Sequence, residues 1–135
     1  MTLPKPYWED NSGVLYLGDC LDISDKVMGG GKIVLITDPP YGIDYDPQWL
    51  SDMNIAKGSR PNLTNDKIIN DKKNIDLSFL FEFKRRCIFG FPYIYDSNAT
   101  GWIVWDKQPG VNWRGITTPV ELASTTLSKG FDLFH

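Results

Sequence analysis

Ile33-Val34-Leu35-Ile36-Thr37-Asp38-Pro39-Pro40-Tyr41 is the stretch on which the reading of the fold turns. Four residues that are β-branched or leucine, followed by a threonine, read as a strand buried on both faces. Two prolines stop it, because neither donates a ladder hydrogen bond and each disfavours helix at the residue before it. One carboxylate, two rigid backbone units and one aromatic ring are left at the carboxyl end of a parallel-type strand. Open α/β sheets place their ligands at such ends. Taken by themselves, Asp and Pro are also ordinary strand terminators, so a plain turn is the bland reading of the same four residues.

Outward from this stretch, the rest of the chain reads as short elements. Residues 14–17 are expected as a strand and 20–28 as a short helix closed by Gly29-Gly30-Gly31. A helical turn near 47–53 and a helical stretch near 76–83 precede strands at 87–91, 102–106 and 120–127. Short strands separated by helix or loop predict an α/β fold, with a mostly parallel sheet and an antiparallel terminal hairpin. There are no internal repeats and no linker, so residues 1–135 are read as a single domain.

Three further elements flank the Asp-Pro-Pro-Tyr turn. Upstream lies Gly18-Asp19-Cys20-Leu21; downstream lie Trp105-Asp106-Lys107 and Glu121-Leu122-Ala123. In this order they resemble the amino-group DNA methyltransferases of the permuted, phage-type family, which methylate adenine N6 or cytosine N4. The resemblance covers most of residues 8 to 131 and implies a partial Rossmann-like methyltransferase sheet. It also implies S-adenosyl-L-methionine as cofactor and double-stranded DNA, with the target base flipped out, as partner.

The resemblance assigns roles residue by residue. Asp38, Pro39, Pro40 and Tyr41 match the catalytic motif. An exocyclic amino group is a poor nucleophile because its lone pair is delocalised into the ring. The Asp38 carboxylate and the Pro39 carbonyl would accept its hydrogens, held in a fixed direction by the proline pair. Tyr41 would offer a flat face for the base. Asp19 would accept a hydrogen bond from the cofactor's adenine amino group, and the Cys20 N–H would reach a ring nitrogen. Asp38 is shared between the catalytic and cofactor sets. Asp19 also reads as a plain helix N-cap, and the two roles are compatible. Trp102 and Trp105, three apart and so on opposite strand faces, read first as packing residues.

Departures from the family pattern are specific. No Phe-x-Gly-x-Gly loop, which in the family grips the methionine part of the cofactor, occurs in the sequence. Ser124 stands where relatives often carry tryptophan, and Gly90-Phe91-Pro92-Tyr93 replaces a Gly-Ala-Asn-Tyr-like turn. The expectation is therefore an amino-terminal catalytic part, adenine N6 ahead of cytosine N4, with a homodimer or a second chain completing the sheet. The alternative is a non-catalytic relic or binding module that keeps the half-sheet.

Composition narrows the classes. With 135 residues and 41% apolar content the chain can form one core. Neither a stretch of about 20 apolar residues nor a signal-peptide core is present, so no membrane partner and a cytoplasmic location are expected. Cys20 and Cys87 have no metal or redox spacing and read as reduced thiols. His135 is the sole histidine, which removes histidine-based triads and His-rich metal sites. The net charge of -3 is unlike a basic nucleic-acid footprint. Basic residues do gather at Lys57, Arg60, Lys67, Lys72, Lys73 and Lys84-Arg85-Arg86. The long loop 44–74 reads either as a DNA-binding segment or as a solvated connection.

Overall fold

A computed structural model describes residues 3–28, 33–44, 68, 71–72, 75–107 and 120–134. The chain opens with an antiparallel pair, β1 (Trp8–Asp10) and β2 (Gly13–Leu15). Its turn is held by the Asp10 carboxylate, which accepts from the N–H (2.7 Å) and hydroxyl (2.6 Å) of Ser12. Helix α1 (Cys20–Met28) follows, with the bounds read from the sequence. Asp19 caps it: its Oδ1 accepts the Leu21 N–H at 2.9 Å, satisfying one of the donors a helix leaves open at its start.

Five strands make the main sheet: β3 (Leu35–Thr37), β4 (Arg86–Phe89), β5 (Gly101–Asp106), β6 (Val120–Thr125) and β7 (Gly130–Phe134). Their order is β3-β4-β6-β5-β7. β3 and β4 are parallel, as are β5 and β7, while β6 runs against both β4 and β5. The β3–β4 connection carries a short 3₁₀ helix, Ser78–Glu82. Among the described residues no helix is long and apolar enough to cross a membrane.

This arrangement corrects the fold class read from the sequence. The chain is mainly β, a mixed five-stranded sheet beside a two-stranded hairpin, and not a Rossmann-like α/β fold. An α/β sheet needs helices on both faces to carry its parallel crossovers. Among the described residues α1 is the one α-helix, and the stretch expected as helix near 76–83 winds as a 3₁₀ turn. The last two strands read from the sequence, 102–106 and 120–127, are antiparallel neighbours as expected, but a further strand follows: β7 passes β6 and pairs in parallel with the far side of β5. The chain crosses over Gly101, where an added Cβ would lie 2.8 Å from the Ser128 carbonyl oxygen. Thr100 fastens the crossing, its hydroxyl donating to the same oxygen at 2.7 Å.

β3 is likewise not buried on both faces. It pairs with β4 alone among the described strands, and Ile36 is 69% exposed. An apolar run shows that a strand is stable in a sheet, but not how many neighbours it has. Burial concentrates on the inner pair instead: Cys87, Ile88, Ala123, Ser124 and Thr125 are all nearly inaccessible. Leu80, Ile88 and Ile94 form the core, with Leu35, Tyr41, Leu77, Phe79 and Phe81 packed against it.

At the edge of that core lies a buried ion pair. The Arg86 Nε and one terminal nitrogen meet the two Asp96 oxygens at 2.7 Å each. The other terminal nitrogen donates to the carbonyls of Phe83 (2.6 Å) and Phe81 (3.3 Å), closing the end of the 3₁₀ helix. The guanidinium carbon also lies 5.7 Å from the Phe81 ring centroid. Burial alone would push the Asp96 carboxyl up, but the Arg86 hydrogen bonds, the Asn98 N–H and the guanidinium charge together hold it below the usual carboxylate range. The contribution of a carboxyl held low is present above its unfolded value and lost as pH falls below about 4.

Asp96→Asn should therefore cost about 3–5 kcal/mol, because it strands a buried guanidinium charge. It should also flatten the loss of stability below pH about 4. Urea unfolding at several pH values reads both, and a cost under about 1 kcal/mol would remove the pair from its anchoring role.

Candidate functional site

The prolines end β3 as their chemistry requires: the last β3–β4 register pair is Thr37 with Ile88, and the chain then turns. Asp38 emerges exposed, while Pro39, Pro40 and Tyr41 are half-buried. Gly42 follows at φ +71°, and an added Cβ there would approach both the Lys72 carbonyl oxygen and Ile75 at 3.1 Å. Asp71, 4% exposed, holds this turn from across the connection. Its Oδ1 accepts the N–H groups of Gly42 (2.7 Å) and Ile43 (3.2 Å), and its carbonyl accepts that of Asp44 (2.8 Å).

Tyr41 is fixed on three sides. Its hydroxyl donates to Asp38 Oδ1. Its ring stacks on Tyr93, centroids 5.4 Å apart and planes 14° apart. Below it lies Gly90 at φ +112°, where a Cβ would sit 2.4 Å from the Tyr41 ring. The Gly90 carbonyl accepts the N–H groups of Tyr93 (2.7 Å) and Ile94 (3.1 Å), so the residue that floors the ring also holds the turn presenting its stacking partner. Burial first, then the Asp38 hydrogen bond and charge, push the Tyr41 hydroxyl well above its usual range. It stays a donor at neutral pH.

Two cavities meet at this turn. The larger, about 960 Å³, is lined by Asp19 and Cys20 at the start of α1, by Asp38, Pro39 and Pro40, and by apolar walls that include Phe79 and Phe83. Its volume lies within the range of small-molecule sites. The smaller, about 320 Å³, is an open cleft lined by Tyr41, Phe81, Tyr93 and Tyr95. Ile75 and Leu77 line both cavities. The Asp-Pro-Pro-Tyr turn is thus divided, its first three residues toward the larger space and its tyrosine toward the smaller.

The structure brings Asp19 and Cys20 together with Asp38, Pro39 and Pro40. Asp19 acts as the N-cap, the bland reading of that residue, and still borders the cavity. Cys20 and Cys87 are both free thiols; Cys87 is buried, which pushes its thiol up. The Trp-Asp-Lys and Glu-Leu-Ala elements are antiparallel neighbours, with Trp105 opposite Glu121. Lys107 pairs with Glu121 and lies over the Trp105 ring, and the Glu121 charge adds slightly to the push on Tyr41. Trp102 is partly buried, its ring edge-on to Phe91 at 4.7 Å, whereas Trp105 is 44% exposed. Ser124 is 1% exposed between Ile88 and Trp102 of its neighbouring strands, a position with no room for tryptophan.

Of the basic run 84–86, Lys84 and Arg85 stand in solvent while Arg86 is consumed by Asp96. Lys72 borders the larger cavity. Lys57, Arg60, Lys67 and Lys73, the helical turn near 47–53, Gly29-Gly30-Gly31 and most of the loop 44–74 lie outside the described residues. Sequence reading missed Asp71 as part of the site, and it noted Gly90 and Tyr93 only as a departure from the family's turn, without giving them a role. A glycine directly after an apolar strand and before Phe-Pro-Tyr was a usable signal for Gly90; Asp71 carried none, since its partners lie 28 and 29 residues away.

The chain matches no protein-family model, no curated protein and no solved structure.

Gly90→Ala should destabilise the fold by about 1–3 kcal/mol, through a strained backbone and displacement of Tyr41. Gly13→Ala, where nothing lies within 4 Å of an added Cβ, is the control and should be nearly neutral. Thermal unfolding and near-ultraviolet circular dichroism compare the two; equal effects would show that Gly90 does not seat the tyrosine.

Proposed function

We propose that the chain is an S-adenosylmethionine-dependent DNA methyltransferase, acting on an exocyclic amino group of a base extruded from the duplex, adenine N6 in the first place. One observation carries this reading: two elements far apart in sequence, Asp19-Cys20 and Asp38-Pro39-Pro40, border a single cavity, with Tyr41 at the cleft beside it. The reading concerns the site alone and is independent of the α/β sheet, which the mixed topology excludes.

The cavity suits such a cofactor in size and lining. Asp19 uses one carboxylate oxygen as a helix cap, and a carboxylate has acceptor capacity for a further amino donor. Cys20 opens α1, where backbone N–H groups lack intrahelical partners. Leu35, Leu77, Phe79 and Phe83 offer apolar walls. When bound, S-adenosylmethionine would supply an electrophilic methyl group. Asp38, exposed at the end of β3, and the Pro39 carbonyl accept the hydrogens of the incoming amino group. The Tyr41 hydroxyl already marks the Asp38 oxygen as an acceptor, and the amino group takes its place there. Tyr41 keeps its ring seated on Gly90 and supplies a stacking face.

A cytoplasmic setting, in a bacterial or phage-infected cell, belongs to the same proposal. So does a second chain at the sheet edge: β7 is exposed throughout, with Phe131 77% accessible, and among the described strands it pairs with β5 alone, leaving an edge that invites pairing.

Calorimetric titration with S-adenosylmethionine should show binding that Asp19→Ala weakens. Asp38→Ala should lower methyl transfer to adenine-containing DNA by about 10²- to 10³-fold, the scale of losing one preorganised partner. Because Asp38 is exposed, stability should fall by less than about 1.5 kcal/mol. Tyr41→Phe should retain most activity. Full activity in Asp38→Ala, or no cofactor binding by the unaltered chain, would overturn the proposal.

A further inference from the structure

We infer that Lys72 and Asp76 form the recognition site for the zwitterionic amino-acid end of the cofactor, the lysine taking its carboxylate and the aspartate its ammonium. The inference rests on the methyltransferase reading for the identity of the cofactor, and on the charges around the larger cavity for the site.

The distribution of charge points to it first. Among the described residues the charged side chains lining the larger cavity are Asp19, Asp38, Lys72 and Asp76. Three carboxylates against one lysine disfavour a polyphosphate nucleotide, whose every added negative charge meets more repulsion than attraction there. The same set suits a ligand with two cationic centres and one anionic one. S-adenosylmethionine is such a ligand: it carries a sulfonium, an ammonium and a single carboxylate beside a neutral adenine. In the proposed reaction Asp19 serves the adenine amino group and Asp38 the incoming amino group. Lys72 is then left for the carboxylate, as the one cation lining the cavity among the described residues, and Asp76 is the acceptor left for the ammonium.

Local structure holds both residues in place. Lys72 follows Asp71, whose buried carboxylate accepts the Gly42 and Ile43 N–H groups, and the Lys72 carbonyl oxygen lies 3.1 Å from where a Gly42 Cβ would stand. The lysine is therefore anchored through its backbone to the turn that presents Asp38. It is exposed and takes part in no ion pair among the described residues. Asp76 stands at the entry to the 3₁₀ helix, where its Oδ1 accepts the Ser78 N–H at 2.9 Å. The Ser78 N–H and hydroxyl hold its carboxyl below the usual carboxylate range, so it is ionised at neutral pH. A carboxylate has acceptor capacity beyond the bonds that Ser78 uses. The sequence holds no Phe-x-Gly-x-Gly loop, which in the resembled family grips this part of the cofactor. Lys72 and Asp76 do that work by charge, from the β3–β4 connection, and not by close approach of a glycine backbone.

The test titrates the full chain calorimetrically with two thioethers, S-adenosylhomocysteine and 5′-methylthioadenosine. They share the adenosine and the sulfur and differ in the amino-acid end, which the second lacks. The unaltered protein should bind S-adenosylhomocysteine the more tightly. Lys72→Ala, a change at an exposed residue that leaves the fold intact, should weaken that binding roughly 5- to 50-fold and leave 5′-methylthioadenosine unchanged. Asp76→Asn, which keeps an acceptor for the Ser78 N–H, should act in the same direction, and Lys72→Arg should retain most of the affinity. Lys72→Ala that weakens both ligands equally, or neither, would overturn the inference, as would an unaltered protein that does not distinguish them. Binding of both ligands that falls with Asp19→Ala and ignores Lys72→Ala overturns the site while leaving the methyltransferase reading standing. Lys72-dependent binding without any methyl transfer to DNA supports the site and removes the DNA methyltransferase reading. No binding of either ligand overturns both.

Discussion

The Arg86 guanidinium is where the connections of this fold are tied together. It sits at the first residue of β4 and reaches three ways: to both Asp96 oxygens at 2.7 Å, and to the carbonyls of Phe81 and Phe83. An isolated buried guanidinium would be prohibitively costly; here its donors meet a planar carboxylate and the open carbonyls that end a 3₁₀ helix. Lysine could not substitute, since a point charge cannot serve a bidentate carboxylate and two carbonyls at once. The consequence reaches the site. Leu77 and Phe83 flank the 3₁₀ helix and Phe79 lies within it, all three walling the larger cavity, while Tyr93, Ile94 and Tyr95 lie just before Asp96 and line the smaller one. One ion pair therefore sets the two cavity walls relative to β4.

Parallel pairing of β3 with β4 does the rest of the positioning. Parallel neighbours end on the same side of a sheet, so the turn after Thr37 and the turn after Phe89 emerge together. Tyr41 consequently lands on Gly90, and its ring meets Tyr93. This juxtaposition needs only two parallel strands and the register between them. It holds in a mixed sheet as well as in a doubly wound one, which is why correcting the fold class leaves the site assembled. The reversed strand β6 contributes differently, by burying Ala123, Ser124 and Thr125 against β4 and β5 and giving the sheet its least accessible strand segment.

Asp71 and Gly42 show how much of the site depends on partners outside the motif. Asp71 draws two consecutive backbone N–H groups onto one buried oxygen, and Gly42 adopts a positive φ between two groups only 3.1 Å from where its Cβ would be. Together they fix the direction in which the chain leaves Tyr41. Asp38 and Tyr41 are thereby presented by a turn held at both ends, one end by the β3 ladder and the other by Asp71.

By itself the sequence determined the features that arise between chain neighbours. Pro39 and Pro40 dictate where β3 stops, Asp19 dictates where α1 starts, and the apolar runs at 87–91, 102–106 and 120–127 mark strands. These signals act through φ restriction, missing donors and capping geometry, all of which operate within a few residues. Tertiary structure alone decided which strands adjoin, that β6 inserts between β4 and β5, that β7 crosses Gly101 to reach the far edge, and that Ile36 faces solvent. Pairing is chosen by burial and hydrogen bonding summed over distant segments, and an apolar run of five residues is compatible with an edge or an interior place. The partners of Arg86 and Asp71 belong to the same class: a charged residue announces that it needs a partner, and only the folded chain shows which one comes within 2.7 Å.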